Sequence, residues 1–162
     1  MKTRNTAEAT GDSFSDGTAI YRAVSEATRR GYELELSGQL TPSWQLQGSY
    51  VVNDSSLTSA STSPRKQFKL ASTYRLDGML SGLTLGAATR WQSSANAGVL
   101  KQSSFWLLDL MARYQVTPKL SVSANVNNLF DKAYFSGMRD FGRIQYTWGA
   151  PRSFNLGVRY DF

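Results

Sequence analysis

Residues 153–162 read SFNLGVRYDF, and their side chains alternate between two kinds. The even positions are apolar or aromatic, and they are Phe154, Leu156, Val158, Tyr160 and Phe162. The odd positions are small, polar or charged, and they are Ser153, Asn155, Gly157, Arg159 and Asp161. Successive side chains of a β-strand point to opposite faces of the sheet. The stretch therefore predicts a strand with one apolar face and one polar face.

The same period of two runs through most of the chain. Six earlier stretches repeat it, and they begin near Gly31, Trp44, Gln67, Leu83, Phe105 and Leu120. Together with the C-terminal stretch they predict seven antiparallel strands in sequential order over residues 31–162, with no helix longer than two turns among them. TAIYRAVSEA (18–27) is expected to extend the first of these strands, and MKTRN (1–5) to be the tail of an earlier one.

The connections between these stretches alternate in length. LTPSW (40–44), RLDGMLSG (75–82) and VTPKL (116–120) are short and contain the Pro and Gly typical of turns. The polar segments 53–66, 92–104 and 136–151 are long. Strands of about 10 residues, with short turns at one end and long loops at the other, are typical of a transmembrane β-barrel.

The two faces differ in chemistry. We expect one face to carry Tyr32, Leu46, Leu70, Leu85, Leu108, Val122 and Val158. The other is expected to carry Glu33, Gln47, Lys69, Arg90, Asp109 and Asn125. Aromatic residues lie near the strand ends, and they are Trp44, Tyr74, Trp91, Trp106, Tyr114 and Tyr160. Such rings suit the two interfaces of a membrane, although a soluble β-sandwich or barrel with an aromatic core has the same period.

The composition excludes several kinds of site. The chain has no Cys and no His, which removes thiolate and imidazole metal sites, Cys nucleophiles and the Ser-His-Asp triad. No apolar run approaches the roughly 20 residues of a transmembrane helix. The net charge of +6 predicts affinity for anions. Because Lys and Arg are dispersed and form no single stripe, we expect no nucleic-acid partner.

Several stretches, taken in order, resemble one family. NVNNLFDKAYF (125–135) and YTWGAPRSFNLGVRYDF (146–162) resemble the closing segment of TonB-dependent outer-membrane receptors. GYELELSGQLTPSWQLQGSYVVND (31–54) resembles a hairpin of the same proteins. RKQFKLASTYRL (65–76) and TLGAATRWQS (84–93) resemble the next hairpin in the ferric-siderophore branch, of the hydroxamate and pyoverdine type. The resemblance covers nearly the whole chain.

This resemblance implies a fold and a function. The fold would be an all-β antiparallel meander, the last seven or eight strands of a plugged barrel of about 22 strands. Residues 1–162 would be one segment of that barrel, without the plug domain. The parent protein would import ferric siderophores across the bacterial outer membrane by TonB-dependent transport, with no enzyme chemistry and no cofactor. Its partners would be its own plug, TonB through a missing N-terminal region, the barrel assembly machinery, membrane lipid and lipopolysaccharide. Tyr160 and Phe162 would form the assembly signal.

The last long segment contains the candidate ligand contacts. Arg139, Arg143, Tyr146 and Trp148 lie there, and Trp91 and Gln92 are expected at the rim of another strand. Arg offers paired donors to anionic oxygens, and aromatic rings stack on chelate rings, so these residues could bind a ferric siderophore. The alternative is that the Trp and Tyr belong to an interfacial girdle and that the Arg contact lipopolysaccharide phosphates.

Two further hypotheses come from other classes. Glu33 and Glu35 point the same way, which would fit a glycosidase pair, but charges that pair with neighbouring strands or a plug are the favoured interpretation. A small stand-alone barrel of eight strands with a structural or adhesion role also fits a chain of this length. It does not explain the receptor-like terminal motifs, and its first strand would come from the polar residues 1–12.

Overall fold

The computed structural model of the chain describes residues 2–55, 63–97, 99–140 and 144–162. Eight strands form the main sheet, and they are β1 (Lys2–Ser13), β2 (Ala19–Thr41), β3 (Trp44–Ser55), β4 (Lys66–Arg75), β5 (Leu83–Gln92), β8 (Phe105–Thr117), β9 (Leu120–Asn127) and β12 (Ser153–Tyr160). Two small hairpins lie in the long loops, β6 (Ala95–Ala97) with β7 (Leu100–Gln102), and β10 (Phe135–Asp140) with β11 (Ile144–Trp148). The helical content of the described residues is one 3₁₀ turn, Gly78–Leu80.

The main sheet is an antiparallel meander in the order β1-β2-β3-β4-β5-β8-β9-β12. The antiparallel meander predicted over residues 31–162 is confirmed, in the predicted sequential order, and the two loop hairpins β6-β7 and β10-β11 are additional to the predicted strands. Residues 18–27 indeed lead into and form the start of β2. The N-terminal strand is longer than MKTRN, because β1 continues to Ser13 and pairs with the first half of β2, from Lys2↔Thr28 to Ser13↔Ala19.

The register places every predicted residue on its expected face. Directly opposed residues of neighbouring strands share a face, and one such row is Leu34, Tyr50, Phe68, Trp91 and Trp106. The adjacent row on the other face is Glu35, Ser49, Lys69, Arg90 and Leu107. A shift of one residue in any pairing would exchange the faces, so the agreement across seven strands is a stringent confirmation.

Within the residues that the structure describes, no second layer packs on the apolar face of the sheet. Leu36 is 64% exposed, Leu156 87% and Val158 75%. A soluble sandwich would bury this face against a second sheet, because side chains of this kind each gain about 1.5–3 kcal/mol on leaving water. The exposed apolar face therefore favours a lipid environment over the soluble alternative.

Aromatic side chains form two belts on the apolar face. The loop-end girdle consists of Tyr32, Tyr50, Phe68, Trp91 and Trp106, with Trp91 and Trp106 ring centroids 6.1 Å apart. The turn-end girdle consists of Trp44, Tyr74, Tyr114 and Tyr160. On β8, Trp106 and Tyr114 are separated by about 27 Å along the strand, which is about 20 Å of membrane thickness at a tilt of about 40°.

The main sheet is open. β1 and β12 are its two edge strands, and among the described residues they do not pair with each other. The eight strands therefore do not form the closed stand-alone barrel considered from the sequence. No helix in the described part of the chain is long and apolar enough to cross a membrane.

Candidate functional site

The two loop hairpins pack against each other at the loop end of the sheet. Ala95 and Ala97 of β6 and Met138 of β10 are buried together, and Leu100 and Phe135 cover them. This small apolar cluster joins two segments that are far apart in sequence, since Ala97 and Met138 are separated by 41 positions. The last long loop is thus a folded hairpin with a core of its own.

A β-bulge near Ser136 decides which side chains of the last loop meet. The bulge lies between the pairs Phe135↔Trp148 and Gly137↔Thr147, so Phe135 shares a face with Tyr146 and Trp148. The Phe135 ring lies 4.5 Å from the Trp148 ring and 5.1 Å from the Tyr146 ring, centroid to centroid. Tyr146 is 53% exposed and Trp148 59% exposed. These three rings, the loop aromatic cluster, offer a stacking surface to a planar ligand.

The predicted arginines are placed differently. Arg139 is opposite Gln145, on the other face of the hairpin from Tyr146. It is exposed and does not belong to the loop aromatic cluster. Arg143 lies outside the described residues. A ligand stacked on Tyr146 and Trp148 would therefore need to extend around the hairpin to meet Arg139.

Trp91 and Gln92 lie on opposite faces of β5. Trp91 belongs to the loop-end girdle, and this position favours the interfacial alternative for that residue. Gln92 lies on the polar face, opposite Gln67 and Phe105. Of the two, Gln92 is on the side from which a ligand inside a barrel would be reached. Contact with a ligand stays a prediction for all six candidates.

The polar face forms a concave surface with a row of charges. A depression of about 500 Å³ is bordered by Glu35, Lys69, Arg90 and Asp109. Arg90 and Asp109 form an ion pair with nitrogen and oxygen 3.6 Å apart. Glu33 lies on the same face as Glu35, opposite Val51. The described residues contain no group of three or more Asp, Glu, His or Cys side chains arranged to hold a metal.

Two polar residues that the sequence analysis did not single out organise the loops. Asn128 follows β9, has a φ of 50° and is 3% exposed. Gln102 ends β7 and is also buried. The Asn residues of the motif NVNNLFDKAYF indicate at most a position that tolerates positive φ, and they do not reveal which backbone groups Asn128 binds. Nothing in the local sequence marks Gln102.

The architecture defines the class of protein. Strands with an apolar outer band between two aromatic girdles, a polar inner face and long loops at one end form the wall of an outer-membrane type β-barrel. The particular family follows from the sequence match. Residues 2–129 match the model of the TonB dependent receptor-like, beta-barrel family, and the chain belongs to that family.

Individual relatives are receptors for iron chelates by name. The chain is 39% identical over 159 residues to the ferripyoverdine receptor of Pseudomonas aeruginosa, and the aligned region covers 90% of this chain and 19% of that receptor. It is 36% identical over 149 residues to a ferric-pyoverdine BN7/BN8 receptor of Pseudomonas putida, covering 88% of this chain and 18% of the relative. The chain thus spans about a fifth of the length of these curated relatives. They are receptors and not enzymes.

A solved structure shows the same arrangement. The ferripyoverdine receptor of the Pseudomonas aeruginosa outer membrane, solved with ferripyoverdine bound, superposes with a TM-score of 0.80 at 33% identity. The match covers 99% of this chain and 24% of the receptor. The small hairpins and the first strand are therefore included in the shared fold.

Proposed function

We propose that the chain forms part of the barrel wall of a receptor that imports a ferric siderophore, of the pyoverdine class, by TonB-dependent transport. The observation that carries this proposal is the 39% identity to a ferripyoverdine receptor over nearly the whole chain. The physical arrangement supports it. A polar concave face gives a solute a hydrated path, and exposed aromatic rings at the loop end offer a first contact for a chelate.

The partners and location belong to the same proposal. The charges of the polar face, such as Lys69 and Arg90, would face a plug domain that lies outside this chain. The apolar face would meet outer-membrane lipid and, above the loop-end girdle, lipopolysaccharide. TonB would act through the N-terminal region of the parent protein. The barrel assembly machinery would read the end of β12, Tyr160 and Phe162. The iron would be held by the siderophore as cargo, without a cofactor or metal-binding side chains of the chain.

The ligand contacts are proposed for the loop-end side of the structure. The loop aromatic cluster would stack on the ligand through Tyr146 and Trp148. Arg139, Arg143 and Gln92 would bind its anionic or carbonyl oxygens. Trp91 belongs to the loop-end girdle, and a contact with the ligand would be a second role of this residue.

A transport assay tests this function. The full-length gene product that carries this chain is expressed in a host without its own siderophores or their receptors, and uptake of radioactive iron is measured for a panel of ferric siderophores that includes ferripyoverdine. We expect uptake of at least one of them, dependent on TonB. Deletion of residues 136–150 should abolish that uptake while the barrel still assembles.

Substitutions make the test residue-specific. The double variant Tyr146→Ala/Trp148→Ala should lower the apparent affinity for the transported siderophore by about five- to 150-fold, because each lost stacking contact is worth about 0.5–1.5 kcal/mol. The matched control is Phe14→Ala/Tyr21→Ala, which removes two aromatic side chains of similar exposure, 59% and 54%, from the hairpin of β1 and β2. Equal affinities in the two double variants would contradict the assignment of the cluster.

A further inference from the structure

One side chain ties together the two ends of the last loop. The Asn128 side-chain amide donates to the carbonyl oxygen of Lys132 at 3.0 Å and to that of Ala150 at 3.1 Å. Its carbonyl oxygen Oδ1 accepts the Lys132 N–H at 2.9 Å. Lys132 lies where the loop leaves the sheet and Ala150 lies where it returns. All three hydrogen bonds are made by a side chain that water hardly reaches.

The same residue attaches the loop to the barrel wall. The Asn128 backbone N–H donates to Oδ1 of Asp109 on β8 at 2.7 Å, and the next N–H, of Leu129, donates to the carbonyl oxygen of Leu108 at 2.8 Å. The other oxygen of Asp109 faces Arg90 on β5, in the charged row of the polar face. The start of the loop is therefore held by groups on two neighbouring strands.

A second attachment lies closer to the loop aromatic cluster. Gln102 accepts the Phe135 N–H at 2.7 Å with Oε1 and donates to the carbonyl oxygen of Ser103 at 2.9 Å with Nε2. The Tyr134 ring lies 4.8 Å from the Phe105 ring, and the Tyr134 carbonyl accepts the Gly149 N–H at 2.8 Å. Gln102 therefore binds the backbone of Phe135, and the ring of Phe135 packs against Tyr146 and Trp148.

We propose that Asn128 is the positioning residue of the last loop, and that it keeps the loop aromatic cluster ordered before any ligand arrives. Asparagine suits this position because it tolerates a φ of 50°. Its short side chain also carries two N–H donors and one carbonyl acceptor. A loop that is already ordered loses less conformational entropy on binding, so its ligand binds more tightly. The role in ligand binding rests on the proposed function, whereas the ordering of the loop does not.

The first experiment needs no ligand. In the full-length receptor, Asn128→Asp keeps the size of the side chain and its acceptor, but at pH 8 it removes both donations and turns a carboxylate towards two carbonyl oxygens. An intramolecular hydrogen bond of a buried group is worth roughly a factor of ten in an equilibrium constant. Amide hydrogen exchange should therefore become at least about tenfold faster in peptides that contain Phe135 and Gly149.

The neighbouring residue provides a matched control. Asn127→Asp makes the same chemical change one position earlier. Within the described part of the chain, the Asn127 side chain makes one hydrogen bond, donated to the Ser153 hydroxyl at 3.3 Å. Exchange in the last loop should stay unchanged in this variant. If Asn128→Asp prevents assembly, Asn128→Gly serves instead, since glycine keeps the positive φ and removes all three side-chain hydrogen bonds. Wild-type exchange rates in an assembled Asn128 variant would overturn the proposal.

The second experiment tests whether the ordering of the last loop strengthens ligand binding. Ferripyoverdine and any other transported siderophore are titrated against the same variants. We expect a rise of about tenfold in Kd for the Asn128 variant and none for Asn127→Asp. Faster exchange with an unchanged Kd would overturn the positioning role in binding. If the wild-type receptor binds no ferric siderophore, the proposed function fails, and the exchange experiment still decides whether Asn128 orders the loop.

Discussion

Leu110 lies midway along β8 between the two girdles, four residues from Trp106 and four from Tyr114. It is on the apolar face, opposite Ala87 and Val126. Four residues span about 13 Å of strand, or about 10 Å along the membrane normal at a tilt of about 40°. Leu110 is thus at the level of the bilayer midplane, where an arginine on the lipid face costs about 2–4 kcal/mol.

Met111 is the control, because it is the next residue on the same strand and points to the polar face. It is opposite Gly86 and Asn125 and is less exposed than Leu110. An arginine there replaces an apolar side chain of similar size but stays on the hydrated side. We therefore expect Met111→Arg to cost less than about 1.5 kcal/mol, a value usual for surface and partly buried changes.

Both variants are compared by the free energy of unfolding of the full-length receptor in phospholipid vesicles. This free energy is measured by denaturant titration, and the readout is the difference in gel mobility between the folded and the unfolded barrel. A loss about 2 kcal/mol larger for Leu110→Arg than for Met111→Arg is the expected result. A sheet in water would give the opposite order, because the more buried Met111 would then suffer more from a charge. That reversed order would refute the membrane assignment of the two faces.

Two further changes test the two ends of the chain. Deleting Phe162, which is fully exposed with its ring 5.1 Å from that of Tyr160, removes an apolar anchor worth about 1.5–3 kcal/mol. If it is an assembly signal, the deletion should leave the parent receptor in the periplasm with little loss of stability in molecules that do fold, whereas normal outer-membrane levels would exclude that role. At the other end, the Thr18 N–H, 2.9 Å from Oδ1 of Asp16, holds the pKa of Asp16 below its usual value. The turn between β1 and β2 should therefore be fully ordered above the usual Asp pKa of about 3.9 and loosen as the pH falls through the lower pKa of the folded state. Faster exchange of the Thr18 amide would show this loosening. The same pH dependence in Asp16→Asn would contradict this cause.

The strands, their faces and their girdles could be predicted from the sequence because they depend on a local period. Leu34, Tyr50 and Phe68 reveal their common face by their spacing alone. The exceptions are apolar residues on the polar face, such as Phe105. The Tyr134 ring covers Phe105, and that contact joins residues 29 positions apart, which no local period contains.

The arrangement of the candidate site was harder to predict from the sequence, because it depends on contacts between residues that are distant in the chain. The candidate residues of the last loop were predicted as one group, and their contact with a ligand stays a prediction. The bulge near Ser136 turns Phe135 towards Tyr146 and leaves Arg139 on the opposite face. A single extra residue in one strand inverts all the facing relations beyond it. The roles of Asn128 and Gln102 depend on backbone groups brought close by folding, so their side chains could not be distinguished from other polar loop residues.

The length of β2 has a consequence for how the protein meets its surroundings. The strand has 23 residues, and about 9–11 suffice to cross a bilayer. Among the described residues, the partners of the ten residues 19–28 all lie in β1, and the two segments form a ribbon of up to about 33 Å. In the proposed orientation this ribbon projects beyond the lipid surface and presents Phe14 and Gly17 at its tip. Large molecules outside the cell, such as antibodies and proteases, would reach this ribbon before they reached the barrel wall. Its exposed turn is also the place in the chain where we expect an inserted peptide to be tolerated.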